Sequence, residues 1–129
     1  MIRQRIVEGI GVPRSSSPLS QAVVADGPFV FVSGQVGRNP ETGEVPDDFI
    51  EQARQALENL RGLLSIVGAR PEDVIRVLVF VTDFSRGQEF NQIYGDFFGK
   101  EYPTRTRVQV AGLAPGYQIE IEAIAALRR

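Results

Sequence analysis

Val74–Thr82 (VIRVLVFVT) constrains this chain more than any other segment. Val77 to Val81 is an unbroken apolar run, so it reads as a strand shielded on both faces. Phe29–Val32 (FVFV) repeats the pattern. Only two segments carry helical spacing. Asp48 is placed to cap the first, with Glu51 three residues on, and Phe49, Ala53, Ala56, Leu57, Leu60, Leu63, Leu64 and Val67 form its apolar stripe before Gly68 ends it. Ser85 and Gln88 predict a second capping box, opening a helix through Phe98 whose core face is Phe90, Ile93, Tyr94, Phe97 and Phe98. Two helices cover one face of a sheet. The remaining face requires a cover that no other segment supplies, and a further copy of the chain is the economical one.

The other strands are expected at Arg3–Val7, Gln21–Ala25, Phe29–Ser33, Thr104–Ala111 and Tyr117–Leu127. Asp26-Gly27-Pro28 is a turn signal that predicts a hairpin between the second and third strands. Residues 8–18 and 34–46 are dense in turn formers and read as loops. The order is therefore βββαβαββ, an α+β domain spanning 1–129, with one mixed sheet of about six strands and two helices on one face.

Two absences narrow the chemistry. The chain has no Cys and no His, which removes thiolate nucleophiles, Ser-His-Asp triads, thiolate or imidazole zinc sites and disulfides. Lys100 is the only lysine, so Schiff-base chemistry has little room. What remains is carboxylates, hydroxyls, Arg, backbone groups and water, and no cofactor is expected. The net charge of −2 gives no footprint for nucleic acid or an anionic membrane. No apolar run approaches the roughly 20 residues that span a bilayer, and the N-terminus lacks a signal's apolar core. The expected compartment is the cytoplasm.

The last two strands hold the most informative charges. In Thr104–Ala111, Thr106, Val108 and Val110 share one face, and Arg105, Arg107 and Gln109 share the other. In Tyr117–Leu127, Tyr117, Ile119, Ile121 and Ala123 alternate with Gln118, Glu120 and Glu122. Paired as a hairpin around Gly112–Gly116, the two strands set Arg107 beside Glu120 and Arg105 near Glu122, on the face away from the helices. On pattern alone an ion-pair ladder explains that stripe. The other explanation is a partly desolvated Arg105 at a subunit boundary, satisfied by the carboxylate of a small ligand.

Several separated motifs carry a family resemblance. Val32-Ser33-Gly34-Gln35, then Asn39-Pro40-Glu41-Thr42-Gly43-Glu44-Val45-Pro46, the helix start Gln52–Leu60, Pro103-Thr104-Arg105 and Ile119–Ala125 are similar to the Rid family, the YjgF-type reactive intermediate deaminases. The resemblance runs from about Pro18 to the C-terminus. It implies a chorismate-mutase-like fold, a homotrimer with sites in the clefts between subunits, and hydrolysis of enamines and imines such as 2-aminoacrylate to 2-keto acids and ammonia. Residue by residue, it implies Arg105 as the carboxylate binder, Glu120 as the residue positioning water, Ser33 and Gly34 as site wall and Asn91 as a further contact. Two positions depart from the better-known members: a site Tyr falls on Leu19, and a frequent Cys falls on Arg107. A trimeric, non-catalytic binder of small carboxylates is the alternative that Leu19 favours.

Overall fold

A computed structural model describes residues 1–128. Its elements run β1 (Ile2–Ile6), β2 (Ala22–Ala25), β3 (Phe29–Val36), α1 (Phe49–Ile66), β4 (Val74–Val81), α2 (Gly87–Phe98), β5 (Thr104–Gln109) and β6 (Ile119–Ala126). The α+β order is the expected one. The six strands divide into a four-stranded sheet, β3-β6-β4-β5, and a two-stranded ribbon, β1-β2. A single bridge between Ser20 and Thr104 joins the chain just before β2 to the start of β5.

Both helices follow from local chemistry, with one difference at α2. Asp48 Oδ2 accepts from the Glu51 amide at 3.0 Å, and Gly68 adopts a positive φ of 74° just past α1, donating to the Ser65 carbonyl. The Ser85–Gln88 box does not form. Asp83 accepts from both the amide and hydroxyl of Ser85, closing a 3-10 turn over Phe84–Arg86. α2 begins only at Gly87, with no side-chain cap. The carboxylate two residues upstream outcompetes the hydroxyl for the first free amides, because an ionised acceptor bonds more strongly than a neutral one.

The helices cover one face of the four-stranded sheet. Val77, Val79 and Val81 of β4 are fully buried beneath them, as are Ile119, Ile121 and Ala125 of β6. Leu78 and Phe80, which point the other way, are only half-buried. On that open face Phe29 and Val108 are exposed, and Phe31 retains 75% of its accessible surface. β4 thus meets water on one side within a single chain, and the unbroken apolar run keeps its demand for a second cover. No helix among the described residues is long and apolar enough to cross a membrane.

Strand pairing departs from expectation twice. β2 pairs antiparallel with β1, not with β3. β5 and β6 do not form a hairpin: β5 runs parallel to β4 on one side, and β6 runs antiparallel to β4 on the other. β4-α2-β5 is a crossover unit, and the 110–118 connection carries the chain past the end of β4, where Val110 donates to Val81 and Thr82 to Gln118. The Arg107–Glu120 and Arg105–Glu122 pairs therefore do not exist within the chain.

One buried polar side chain anchors that connection. Gln52 is fully buried in α1; its Nε2 donates to the carbonyls of Pro46 and Gly116, and its Oε1 accepts from the Gln118 amide at 2.8 Å. Every hydrogen-bonding position faces backbone that lacks another helix or sheet partner. Gln52→Leu is expected to lower stability by about 3 kcal/mol in urea denaturation at fixed protein concentration, since it strands three backbone groups. A loss below roughly 0.5 kcal/mol would refute the anchoring role.

Candidate functional site

The buried side-chain polar atoms that lack a hydrogen-bond partner among the described residues are Asn91 Oδ1, Tyr94 Oη, Arg105 Nη1 and Arg107 Nε. All four belong to α2 or to β5. Such atoms are costly to leave unpaired, and a cluster of them is where ordered water or a polar ligand would be held.

β5 presents its arginines in an unexpected direction. Arg105 is the Cα partner of Val77, and Arg107 of Val79, so both share the helix-facing side with those valines, contrary to the predicted open-face stripe. The Arg105 guanidinium lies 4.9 Å from the ring centroid of Tyr94 and 5.4 Å from that of Phe90. Arg107 stacks on Phe84, 3.8 Å from its centroid, and its Nη1 donates to the Phe84 carbonyl. Aromatic faces attract a guanidinium while its hydrocarbon stem packs, which is why this edge of the core accepts Arg in place of an aliphatic residue. Thr106 and Val108 take the open face instead and are exposed.

Neither arginine has a carboxylate within ion-pair distance among the described residues. Burial lowers the Arg105 pKa from its ordinary value, Arg107 lowers it further, and the Tyr94 side chain opposes both. Burial also lowers Arg107, and pushes the Tyr94 hydroxyl far above the usual tyrosine range, so it stays neutral. Guanidinium remains charged under these influences. The result is a partly dehydrated, unneutralised positive region with a neutral hydroxyl beside it.

Asn91 and Leu19 lie on this same side of the molecule. Asn91 borders a groove between α2 and the Ser16–Pro18 segment. Leu19 is half-buried, held between Pro18, which approaches Gly95 of α2, and Ser20, which bonds to Tyr102 and Pro103. It brings no donor.

Ser33, Gly34 and Glu120 form a second group elsewhere. The β3–β6 register shifts between Val32 and Gln35, so Ser33-Gly34 is a bulge that turns the strand. A Cβ on Gly34 would stand 2.7 Å from Glu120 Cδ; only glycine lets the carboxylate lie against the backbone there. Glu120 pairs with Phe80, on the face opposite Val79 and Val81. Arg105 and Glu120 are thus on opposite faces of the sheet, with β4 between their strands. One chain does not bring them together.

The sequence assigned Phe90 and Tyr94 to packing, with Tyr94 also among the hydroxyls that could compensate for Leu19, and left Phe84 aside; all three shape the arginine side. A tyrosine at a core position, four residues after another aromatic, was the available signal, because a buried hydroxyl requires a partner. Tyr94→Phe is expected to leave stability unchanged or raise it by up to about 2 kcal/mol, since it deletes an unpaired buried hydroxyl and keeps the ring beneath Arg105. A loss above roughly 1 kcal/mol in urea denaturation would show that the hydroxyl is already bonded.

Residues 10–127 match the family model described as Endoribonuclease L-PSP. A RutC family protein of Pyrococcus horikoshii is 41% identical over 114 residues, covering 88% of this chain and 90% of that one. The 2-iminobutanoate/2-iminopropanoate deaminase of Capra hircus is 36% identical over 123 residues, covering 95% of this chain and 89% of its own. Among solved structures, Escherichia coli TdcF with bound serine superimposes with a TM-score of 0.75 at 39% identity, covering 97% of this chain and 100% of that one. With its motifs, its fold and these relatives in agreement, the chain belongs to the Rid family of YjgF-type proteins, whose named members include imine deaminases.

Proposed function

We propose that this protein hydrolyses reactive enamines and imines of 2-amino acids to 2-keto acids and ammonia, at sites assembled between copies in a homotrimer. The observation that carries this is the pair of half-sites on opposite faces of one sheet. Arg105 has an unpartnered, partly buried fork on the helix side, and Glu120 rests on Gly34 on the open side. Joining two copies through the apolar open face buries Phe31 and brings the Glu120 group of one copy towards the arginine side of the next. A heterologous interface closes into a ring when its rotation divides the full circle, and three copies is the number the family resemblance implies.

The chemistry uses only groups present in the sequence. Arg105 holds the substrate carboxylate by two parallel hydrogen bonds and so fixes the C=N carbon in position. Glu120 of the neighbouring copy holds a water, takes its proton as the oxygen adds to that carbon, and returns a proton to the nitrogen. Collapse of the carbinolamine expels ammonia and leaves the 2-keto acid. Asn91 and Tyr94 offer neutral polar atoms near the bound ligand, and Ser33 and Gly34 form the opposing wall. TdcF, which holds serine, supports a site built for an amino-acid-sized carboxylate. The family model's description names an endoribonuclease; a net charge of −2 and the absence of His weigh against phosphodiester cleavage by this chain.

Leu19 favours a second reading, a non-catalytic trimer that senses small carboxylates, because it supplies no donor where better-known members carry Tyr. One experiment separates the two. With 2-aminoacrylate and 2-iminobutanoate generated in situ, the wild type is expected to suppress semicarbazone formation, and Arg105→Ala to lose about 100-fold or more in kcat/KM with its assembly state unchanged. A wild type that turns over neither imine but binds 2-ketobutyrate through Arg105 would replace the enzyme with the sensor.

A further inference from the structure

Hydrolysis of a monocarboxylate imine leaves Arg107 without a task. It shares the helix-facing side of β5 with Arg105, two residues away and therefore about 6.6 Å along the strand. Its surroundings hold it in place without neutralising it. The Phe84 ring lies against the guanidinium and the Phe84 carbonyl takes Nη1 at 3.2 Å. Nε, on the other edge of the fork, is buried and has no partner among the described residues. The first residue of α2, Gly87, makes room for it: any Cβ there would collide with Nη2 and stand 3.1 Å from Cζ. α2 also opens without a side-chain cap, so its positive end adds to the same field.

Two like charges on adjacent same-face positions repel each other, and Arg107 lowers the Arg105 pKa. Anions bound to both relieve that repulsion and offset the cost of partial burial. A single carboxylate satisfies one fork. Nε and Nη2 of Arg107 are the edge that remains for a second.

We propose that Arg105 and Arg107 together select a substrate with two anionic groups: the 2-imino derivative of a four- or five-carbon dicarboxylic acid. This rests on the reading of Arg105 as the clamp for the carboxylate next to the C=N bond. Arg107 takes the distal carboxylate. Three or four carbon–carbon bonds of about 1.5 Å separate the two carboxylates, a span that fits between forks whose Cα atoms are two strand residues apart. Arg107 is thus a specificity residue, at a position where a neutral side chain would admit shorter, monocarboxylate imines.

The test compares 2-iminoglutarate with 2-iminobutanoate, each made in situ by a flavin amino-acid oxidase, on the wild type, Arg107→Ala and Arg107→Lys. Binding of 2-oxoglutarate and 2-oxobutanoate is measured calorimetrically on the same proteins. The wild type is expected to favour the dicarboxylate by about tenfold or more in kcat/KM, Arg107→Ala to lose that preference mainly through KM, and Arg107→Lys to keep part of it. Equal ratios in the wild type and Arg107→Ala, or a wild-type preference for the monocarboxylate, overturn the proposal. If no imine is turned over, the product-binding ratio decides: a preference for 2-oxoglutarate that Arg107→Ala removes supports dianion selection while sinking imine hydrolysis. Failure of the wild type to bind either product overturns both.

Discussion

Val77, Val79 and Val81 have to be kept from water, and the way they are covered governs the rest of the molecule. α1 and α2 shield that side of β4 completely, which commits β5 and β6 to flank it and sends their alternate residues to opposite faces. Once β4 is the middle strand, Arg105 must share a side with Val77 and Glu120 a side with Phe80. The separation of Arg105 from Glu120 is a consequence of that packing, as is the apolar face left open around Phe31 and Leu78. The same geometry that keeps Arg105 and Glu120 apart leaves the chain a surface with reason to meet another copy.

What was legible in the sequence was local. Asp48 and Gly68 mark α1 because caps act within a few residues, and the apolar run of β4 identifies a central strand. Alternation also placed Glu120 and Glu122 on the open face. It did not reveal neighbours. Pairing β5 with β6 as a hairpin, apolar face with apolar face, assumed that adjacent strands in sequence are adjacent in space, whereas the α2 crossover returns β5 parallel to β4. The direction of Arg105 and Arg107 was hidden for a second reason. Polar residues were expected to avoid the helix side, but Phe84, Phe90 and Tyr94 offer π faces there, and a guanidinium stacks where an ammonium would not.

The site residues named from the motifs fall into two coherent groups rather than one. Arg105, Arg107, Asn91 and Leu19 lie around α2 and β5; Ser33, Gly34 and Glu120 lie along the β3–β6 ladder. The first group is electrostatically unfinished, with four unpartnered buried polar atoms between its two elements. The second is sterically finished, with Glu120 seated on a glycine that no other residue could replace without displacing it. The hydrolysis proposed above needs Arg105 and Glu120 to be supplied by different copies, because one chain holds them on opposite faces.

Mixed assemblies test that division most directly. Arg105→Ala and Glu120→Gln chains, each inactive alone, would be unfolded together and refolded as a mixture. If the site takes Arg105 from one copy and Glu120 from the next, about a quarter of the sites receive both intact residues, and roughly that fraction of wild-type imine hydrolysis returns. A mixture no more active than its separate components, despite demonstrated exchange of chains, would contradict a site shared between copies.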